Sequence, residues 1–254
     1  MKVRVLGCSG GIGKNCHTTS YLLNGNMLLD AGTGVGKLSL DEMSAIRHVL
    51  LTHAHLDHIA GLALMLGSIY EKALNSVTIY APKSVLEVLK THVFNWKLWP
   101  DFNQLPDKEH PILVFNELSP DMTSSIDGLE VTPILLSHTV DSYAYIIKSM
   151  SSNLCFCGDT GPTTKLWNVL NEIGEENQVI IEASYPNDEA ELAGQSGHYT
   201  PSLLATDIGQ LEHKTKVYIH HIKPGNEELV IEQCHEAFKE SSLAIILEDQ
   251  VLDF

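Results

Sequence analysis

Short apolar runs separated by glycine-bearing turns open the chain. Val3–Leu6, Thr19–Leu23 and Met27–Asp30 each have strand length. A helix is predicted over Asp41–Arg47. His48-Val49-Leu50-Leu51-Thr52 follows, an apolar run too short for a helix, and reads as a buried strand. Ile59–Ala73 has helical length and apolar content, Val77–Tyr80 reads as a strand and Ser84–Thr91 as a helix. From Val93 to Pro120 the periodicity dissolves into aromatics, prolines and acids. That texture predicts a long surface excursion, of the kind that caps an active site. Strands are then predicted at Leu129–Leu136, Tyr143–Lys148, Asn153–Cys157, Gln178–Glu182, Lys216–His220 and Ala244–Leu247. Helices are predicted at Thr163–Asn171, Thr200–Leu211 and Glu227–Lys239. Strands dominate the first half, and β and α units alternate in the second. An α/β (α+β) fold follows, with two sheets face to face and helices outside, in one domain over residues 1–254.

Composition narrows the setting. A chain of 254 residues with 44% hydrophobic residues can bury a substantial core. No window approaches the ~18 consecutive apolar residues of a spanning helix, so no membrane partner is expected. The start, MKVRVLGCSGG, reads as a strand entering a glycine turn rather than an export signal, which predicts a cytoplasmic protein. The net charge of -16 argues against a broad surface for nucleic acid, which needs clustered Lys and Arg. A bound pair of divalent ions would still favour a small anion locally. The five cysteines show no disulfide-framework spacing. Cys155 and Cys157 stand two apart in a strand and are expected as buried, reduced thiols on one face.

Chemistry concentrates in His53-Ala54-His55-Leu56-Asp57-His58, just after a buried strand. Imidazole and carboxylate together suit zinc and its first-row neighbours. Alternation lets His53 and His55 converge from extended backbone, while Asp57 and His58 fall where a helix begins. So many donors in so short a stretch point to two adjacent ions. Further donors also follow strands: His138, then Asp159 in Cys157-Gly158-Asp159-Thr160-Gly161, then His220 and His221. Gly7-Cys8-Ser9-Gly10-Gly11-Ile12-Gly13-Lys14 has the glycines of a phosphate loop but not its spacing, and reads as a structural turn.

In this order these residues resemble the metallo-β-lactamase-fold hydrolases, from Val3 to about Pro224. The resemblance implies a four-layer αββα sandwich. It implies that His53, His55 and His138 hold one metal, that Asp57, His58 and His221 hold the other, and that Asp159 bridges. His221 is favoured over His220 because the family motif reads His-Ile-Lys-Pro, here His221-Ile222-Lys223-Pro224. Zinc is the default ion, and manganese or iron could occupy the same donors. Leu56 within the cluster, the apolar helix after it, Leu29–Gly34, His221–Pro224 and Trp99–Phe102 look like the class II cyclic-nucleotide phosphodiesterases. That likeness implies hydrolysis of 3′,5′-cyclic AMP or GMP to the 5′-monophosphate by a hydroxide shared between two metals. Asp57 would orient the nucleophile. His198, in Gln195-Ser196-Gly197-His198-Tyr199-Thr200-Pro201, resembles a residue of tRNA 3′-processing nucleases and would protonate the leaving oxygen. The alternatives are an RNase Z-like tRNA 3′-endonuclease, or a diesterase for another cyclic phosphodiester or a phosphonate. Phe94, Trp96, Trp99 and Phe102 either stack on the base or form a small core of their own. A homodimer stays open, since many such folds pair.

Overall fold

The computed structural model describes residues 1–72, 75–174, 177–238 and 242–254. Its first half runs β1 (Lys2–Gly7), β2 (Ser20–Leu23), β3 (Met27–Ala31), α1 (Leu40–Ala45), β4 (His48–Leu50), α2 (Leu56–Ile69), β5 (Val77–Ala81), α3 (Lys83–Val88) and β6 (Leu113–Glu117). The second half runs β7 (Ser124–Ile126), β8 (Leu129–Leu135), β9 (Tyr143–Lys148), β10 (Asn153–Cys157), α4 (Thr164–Ile173), β11 (Asn177–Glu182), α5 (Ala190–Ser196), α6 (Pro201–Ile208), β12 (Thr215–His220), α7 (Glu227–Ala237), β13 (Ser242–Ile245) and β14 (Val251–Asp253). Local chemistry sets several ends. Ser39 and Glu42 form a reciprocal capping box before α1, and Thr200 caps α6 with Pro201 in the first turn. Gly174 closes α4 with a φ of 69°.

The strands form two seven-stranded sheets, in the orders β14-β1-β2-β3-β4-β5-β6 and β13-β12-β11-β10-β9-β8-β7. Each has one antiparallel part, β14 to β3 and β7 to β10, and one parallel part, β3 to β6 and β10 to β13. Parallel neighbours need a crossover, and the helices supply it. The carboxyl ends of the parallel strands therefore open on the edge where loops carry chemistry.

Period-two alternation sorts the core into layers. Leu28, Val49 and Ile79 pack towards α2, whereas Met27, Leu29 and Leu50 face the other sheet. In the second sheet Leu154, Phe156, Ile180 and Tyr218 face inward, while Cys155, Cys157, Val179, Ile181, Val217 and Ile219 pack under α4, α6 and α7. This is the expected four-layer αββα arrangement. Both thiols of Cys155 and Cys157 are buried on the helix-facing side, with their sulfurs 3.7 Å apart. No helix among the described residues is long and apolar enough to cross a membrane.

Several expectations need correction. The surface excursion over 93–120 contains β6, a strand pairing with β5 at the edge of the first sheet. β7, β14 and α5 were also not anticipated; the two strands are only three residues long, and each finds its partner through tertiary pairing. The helix expected over Ile59–Ala73 begins earlier, at Leu56, and runs to Ile69. Ala73, and Lys239 at the end of the last predicted helix, lie outside the described residues.

α2 approaches β3 through bare backbone. A Cβ on Gly61 would stand 2.2 Å from the carbonyl oxygen of Gly32, and one on Gly32 would stand 2.2 Å from that of Asp57. Gly61→Ala is expected to cost about 1–3 kcal/mol of stability and so lower the urea midpoint with the slope unchanged, the overpacking cost exceeding the gain in helix propensity. Equilibrium unfolding measures it, and an unchanged midpoint would show that α2 can shift freely.

Candidate metal centre

The segments that follow four strands meet at one place. β4 runs out through Thr52 into His53 and His55, and α2 opens with Asp57 and His58. His138 follows β8, Asp159 follows β10, and His221 follows β12. Among the described residues the expected donors form two groups, His53, His55, His138 and Asp159, and Asp57, His58, Asp159 and His221, and Asp159 also meets Glu182 and His198 in a third. Within each group, one donor atom per residue lies within 4.8 Å of all the others. Asp159 belongs to all three.

The separations fit metal ligation. Two donors held ~2.0–2.2 Å from one tetrahedral ion stand roughly 3.4 Å apart. His58 Nε2 is 3.2 Å from Asp159 Oδ1, and His221 Nε2 is 3.2 Å from Asp159 Oδ2. His138 Nε2 is 3.3 Å from His55 Nδ1, while His53 Nε2 to Asp159 Oδ2 and His221 Nε2 to Asp57 Oδ2 are each 3.7 Å. His53 Nε2, His58 Nε2 and Asp159 Oδ1 are buried yet make no well-formed hydrogen bond among the described residues. Buried polar atoms seldom go unpaired, so their convergence calls for a cation.

The opposite edge of four of these imidazoles, those of His53, His58, His138 and His221, is held from outside. His58 Nδ1 lies 2.7 Å from Asp30 Oδ2, His138 Nδ1 lies 2.8 Å from the Gly197 carbonyl, and His221 Nδ1 lies 3.0 Å from Thr19 Oγ1. A ring that donates from Nδ1 to an oxygen presents a lone pair at Nε2, the tautomer a metal requires. Asp30 is fully buried and accepts from the Thr52 amide and hydroxyl, each at 2.8 Å. Thr52 Oγ1 in turn lies 3.1 Å from His53 Nδ1.

Charge and burial compete strongly here. Burial, aided by the neighbouring His58, pushes His53 well below the ordinary histidine pKa. Burial likewise lowers His55 and His138, so these rings are neutral and able to ligate. Burial opposes charge on His58, but Asp159 and Asp30 outweigh it and raise its pKa well above the ordinary value. Two carboxylates around one ring thus create a demand for positive charge at Nε2. Burial also works against ionised Asp159, yet His221 and His58 hold its pKa well below the carboxylate range.

Adjacent His220 and His221 part company. His220 keeps the inward phase of Tyr218, meets the Tyr21 hydroxyl at 3.1 Å, and is pushed down to about 3, by burial first and by His221 second. His221 adopts a φ of 58°, which turns its ring into the centre. Asp30 does the same at the end of β3, with a φ of 55°. Left-handed backbone in bulky residues costs roughly 1–3 kcal/mol, and such strain gathers at functional sites.

His198 stands beside both groups. Its ring stacks on His221 at 5.8 Å and 19°, and meets His138 edge-on at 5.0 Å. Its Nδ1 lies 2.7 Å from Oε1 of the buried Glu182. Glu182 is itself fixed by the amide of Thr160 at 2.7 Å, the amide of Tyr199 at 3.3 Å and the Ser184 hydroxyl. Burial opposes charge on His198, but Glu182 overrides it and raises the pKa. Asp30, Glu182, Thr19 and Thr52 were not singled out from sequence. Asp30 carried the fainter signal, an acid amid the apolar end of a strand, and Glu182 closes another strand in the same way.

Phe94, Trp99 and Phe102 of the excursion pack away from this centre. Phe94 and Phe102 are buried in the core under the first sheet, and Trp99 packs against Gly67 of α2. At ~1.5 Å per residue, Gly67 lies roughly 15 Å along α2 from Asp57. Trp96 is exposed at the same far end. Of the two readings of these rings, packing favours a core for Phe94, Trp99 and Phe102, while Trp96 stays exposed.

Comparison with known proteins agrees with this architecture. A family profile described as "Beta-lactamase superfamily domain" matches residues 25–221. A protein of Yersinia pestis named "Probable 3′,5′-cyclic-nucleotide phosphodiesterase" is 29% identical over 88% of this chain and 78% of its own length. A "3′,5′-cyclic-nucleotide phosphodiesterase" of Aliivibrio fischeri is 26% identical over 82% of this chain and 74% of its own. The crystal structure of unliganded yeast PDE1 superposes with a TM-score of 0.84 at 20% identity, covering 100% of this chain and 99% of that one. At that identity the superposition bears on the fold alone.

Asp30 offers a test that spares the ligands. Asp30→Asn preserves shape and tolerates left-handed backbone, but removes the carboxylate behind His58. Metal affinity, measured by competition with a chelator, is expected to fall about 10–100-fold with the circular dichroism spectrum retained. Unchanged affinity would mean that Asp30 only supports the fold.

Proposed function

The chain belongs to the beta-lactamase superfamily, and we propose that within it the protein is a two-metal 3′,5′-cyclic-nucleotide phosphodiesterase, releasing the 5′-monophosphate from cyclic AMP or cyclic GMP. The observation that carries this reading is the pair of donor groups sharing Asp159 at the edge of the sandwich. His53, His55 and His138 would hold one divalent ion, Asp57, His58 and His221 the other, and Asp159 both. This histidine-rich set suits zinc, and manganese or iron use the same donors. Bound there, the two ions supply an acidified water and positive charge for the non-bridging phosphate oxygens.

The chain's own residues complete the chemistry. Asp57 is half-buried at the first turn of α2 and places one carboxylate oxygen 3.7 Å from His221. Its second oxygen is available to accept a hydrogen bond from the attacking water and so to orient it. His198 serves as the proton donor to the departing 3′ oxygen. Glu182 grips Nδ1, which fixes the ring and stabilises its charged form, and leaves Nε2 to donate. Stacking on His221 holds that ring beside the ions. The tRNA-nuclease alternative asks for a basic surface to hold a polyanion. A chain with 32 acidic residues against 16 basic ones does not favour one.

Purified protein should convert 3′,5′-cyclic AMP or cyclic GMP to the 5′-monophosphate, resolved by chromatography, and lose this activity to a chelator. Failure on both nucleotides by protein carrying two ions per chain would end the proposal. His198→Ala should keep the full metal content while turnover drops about 10²–10⁴-fold. Turnover close to that of the parent would remove His198 from the mechanism.

A further inference from the structure

We propose that Lys223 is the cation that receives the phosphate of the substrate, an assignment that rests on the phosphodiesterase reading above. Lys223 lies two residues beyond His221, and its backbone amide is pinned to the Ser184 carbonyl at 3.1 Å. Its Nζ donates to the Gly10 carbonyl at 3.0 Å and stands 3.4 Å from His221 Nε2. That nitrogen is the same one that approaches Asp159 and Asp57. The ammonium also lies 6.0 Å from the centre of the Tyr185 ring, which meets His198 edge-on at 5.6 Å. The lysine therefore sits at the lip of the second donor group, on the side of the proton donor.

Three observations point from this position to an anion. First, among the described residues Lys223 forms no ion pair with a carboxylate, in a chain whose net charge is -16. An ammonium has three donors, and here only the Gly10 carbonyl accepts from it as an oxygen. Its other contact is a histidine nitrogen that ligation would claim, so the ammonium then needs another acceptor. Second, the formal charges of the centre balance without it. Asp30, Asp57, Asp159 and Glu182 stand in or directly behind the site, and two divalent ions offset these four carboxylates. The positive charge of His198 is matched by the negative charge of the hydroxide drawn from the acidified water, so Lys223 is left as a positive charge that meets the single negative charge of a cyclic phosphodiester. A local positive focus matters most where the rest of the surface repels the ligand.

Third, the glycine turn is cut to admit this side chain. A Cβ on Gly10 would stand 3.0 Å from Lys223 Cδ and 2.6 Å from the His221 carbonyl oxygen, and one on Gly11 would stand 3.0 Å from Pro224 Cδ. Gly10 and Gly11 thus make a seat for the lysine and its flanking backbone. The glycine-rich segment that fails as a phosphate loop contributes to phosphate binding indirectly, by positioning Lys223.

The test compares Lys223→Gln and Lys223→Arg with the parent, reading metal content, KM and kcat for 3′,5′-cyclic AMP, and the calorimetric affinity for 5′-AMP. For Lys223→Gln we expect two ions retained, KM raised about tenfold or more and 5′-AMP affinity weakened to a similar degree, with Lys223→Arg recovering most of both. KM and affinity within twofold of the parent would overturn the assignment. Loss of an ion from Lys223→Gln would overturn it too, by making the lysine a prop for His221. Should the parent not hydrolyse either cyclic nucleotide, the functional reading fails by itself. The same comparison with the generic anionic diester bis(p-nitrophenyl) phosphate then decides Lys223 separately.

Discussion

Asp159 is a carboxylate almost wholly withdrawn from water, and the centre is organised around what that costs. An isolated buried charge is prohibitively unfavourable unless opposite charge surrounds it. His53, His58 and His221 converge on Asp159 from β4, α2 and β12, so satisfying one acid ties the first sheet to the second. The same demand is what two cations would meet. Stability and chemistry at this edge therefore share one electrostatic origin.

Around Asp159 the outer residues set direction as much as affinity. Asp30, Thr52, Thr19 and the Gly197 carbonyl each hold the far nitrogen of a histidine, and thereby choose which nitrogen faces inward. Glu182 does the same for His198 while resting on Thr160 and Tyr199. The left-handed turns at Asp30 and His221 show how much backbone strain is tolerated to aim these side chains. His53, His138, Asp159, His221, Asp30 and Glu182 stand at or just beyond strand ends, and Asp57 and His58 open α2, so rigid elements hold their bases and leave their tips free to meet.

Legibility from sequence followed the range of the determining forces. Tyr143–Lys148 and Asn153–Cys157 match their expected strands residue for residue, because both are apolar runs of strand length bounded by turn residues. β6 and β14 were missed because an edge strand needs only one partner, and that partner comes from far along the chain: β5 for one and β1 for the other. Phe94, Trp99 and Phe102 left two readings open for a related reason. An aromatic cluster in a loop is equally consistent with a lid or a core, and only the packing of Trp99 on Gly67 and Phe102 beside Tyr70 decides it.

By itself the sequence determined the layered α/β class, through apolar periodicity, and the donor types and their order, through the spacing of His53 to His58 and the later His138, Asp159 and His221. These depend on neighbours a few residues apart. The grouping of the seven donors around one shared acid was implied by family resemblance and by no spacing along the chain, and only the tertiary structure decided that Glu182 stands behind His198. Only it turned His220 inward to Tyr21 and seated Lys223 against Gly10. Those pairings span up to 213 residues of chain, and no local propensity encodes them. They exist because burying unpaired polar atoms is costly, and the fold removes that cost by bringing distant strand ends together.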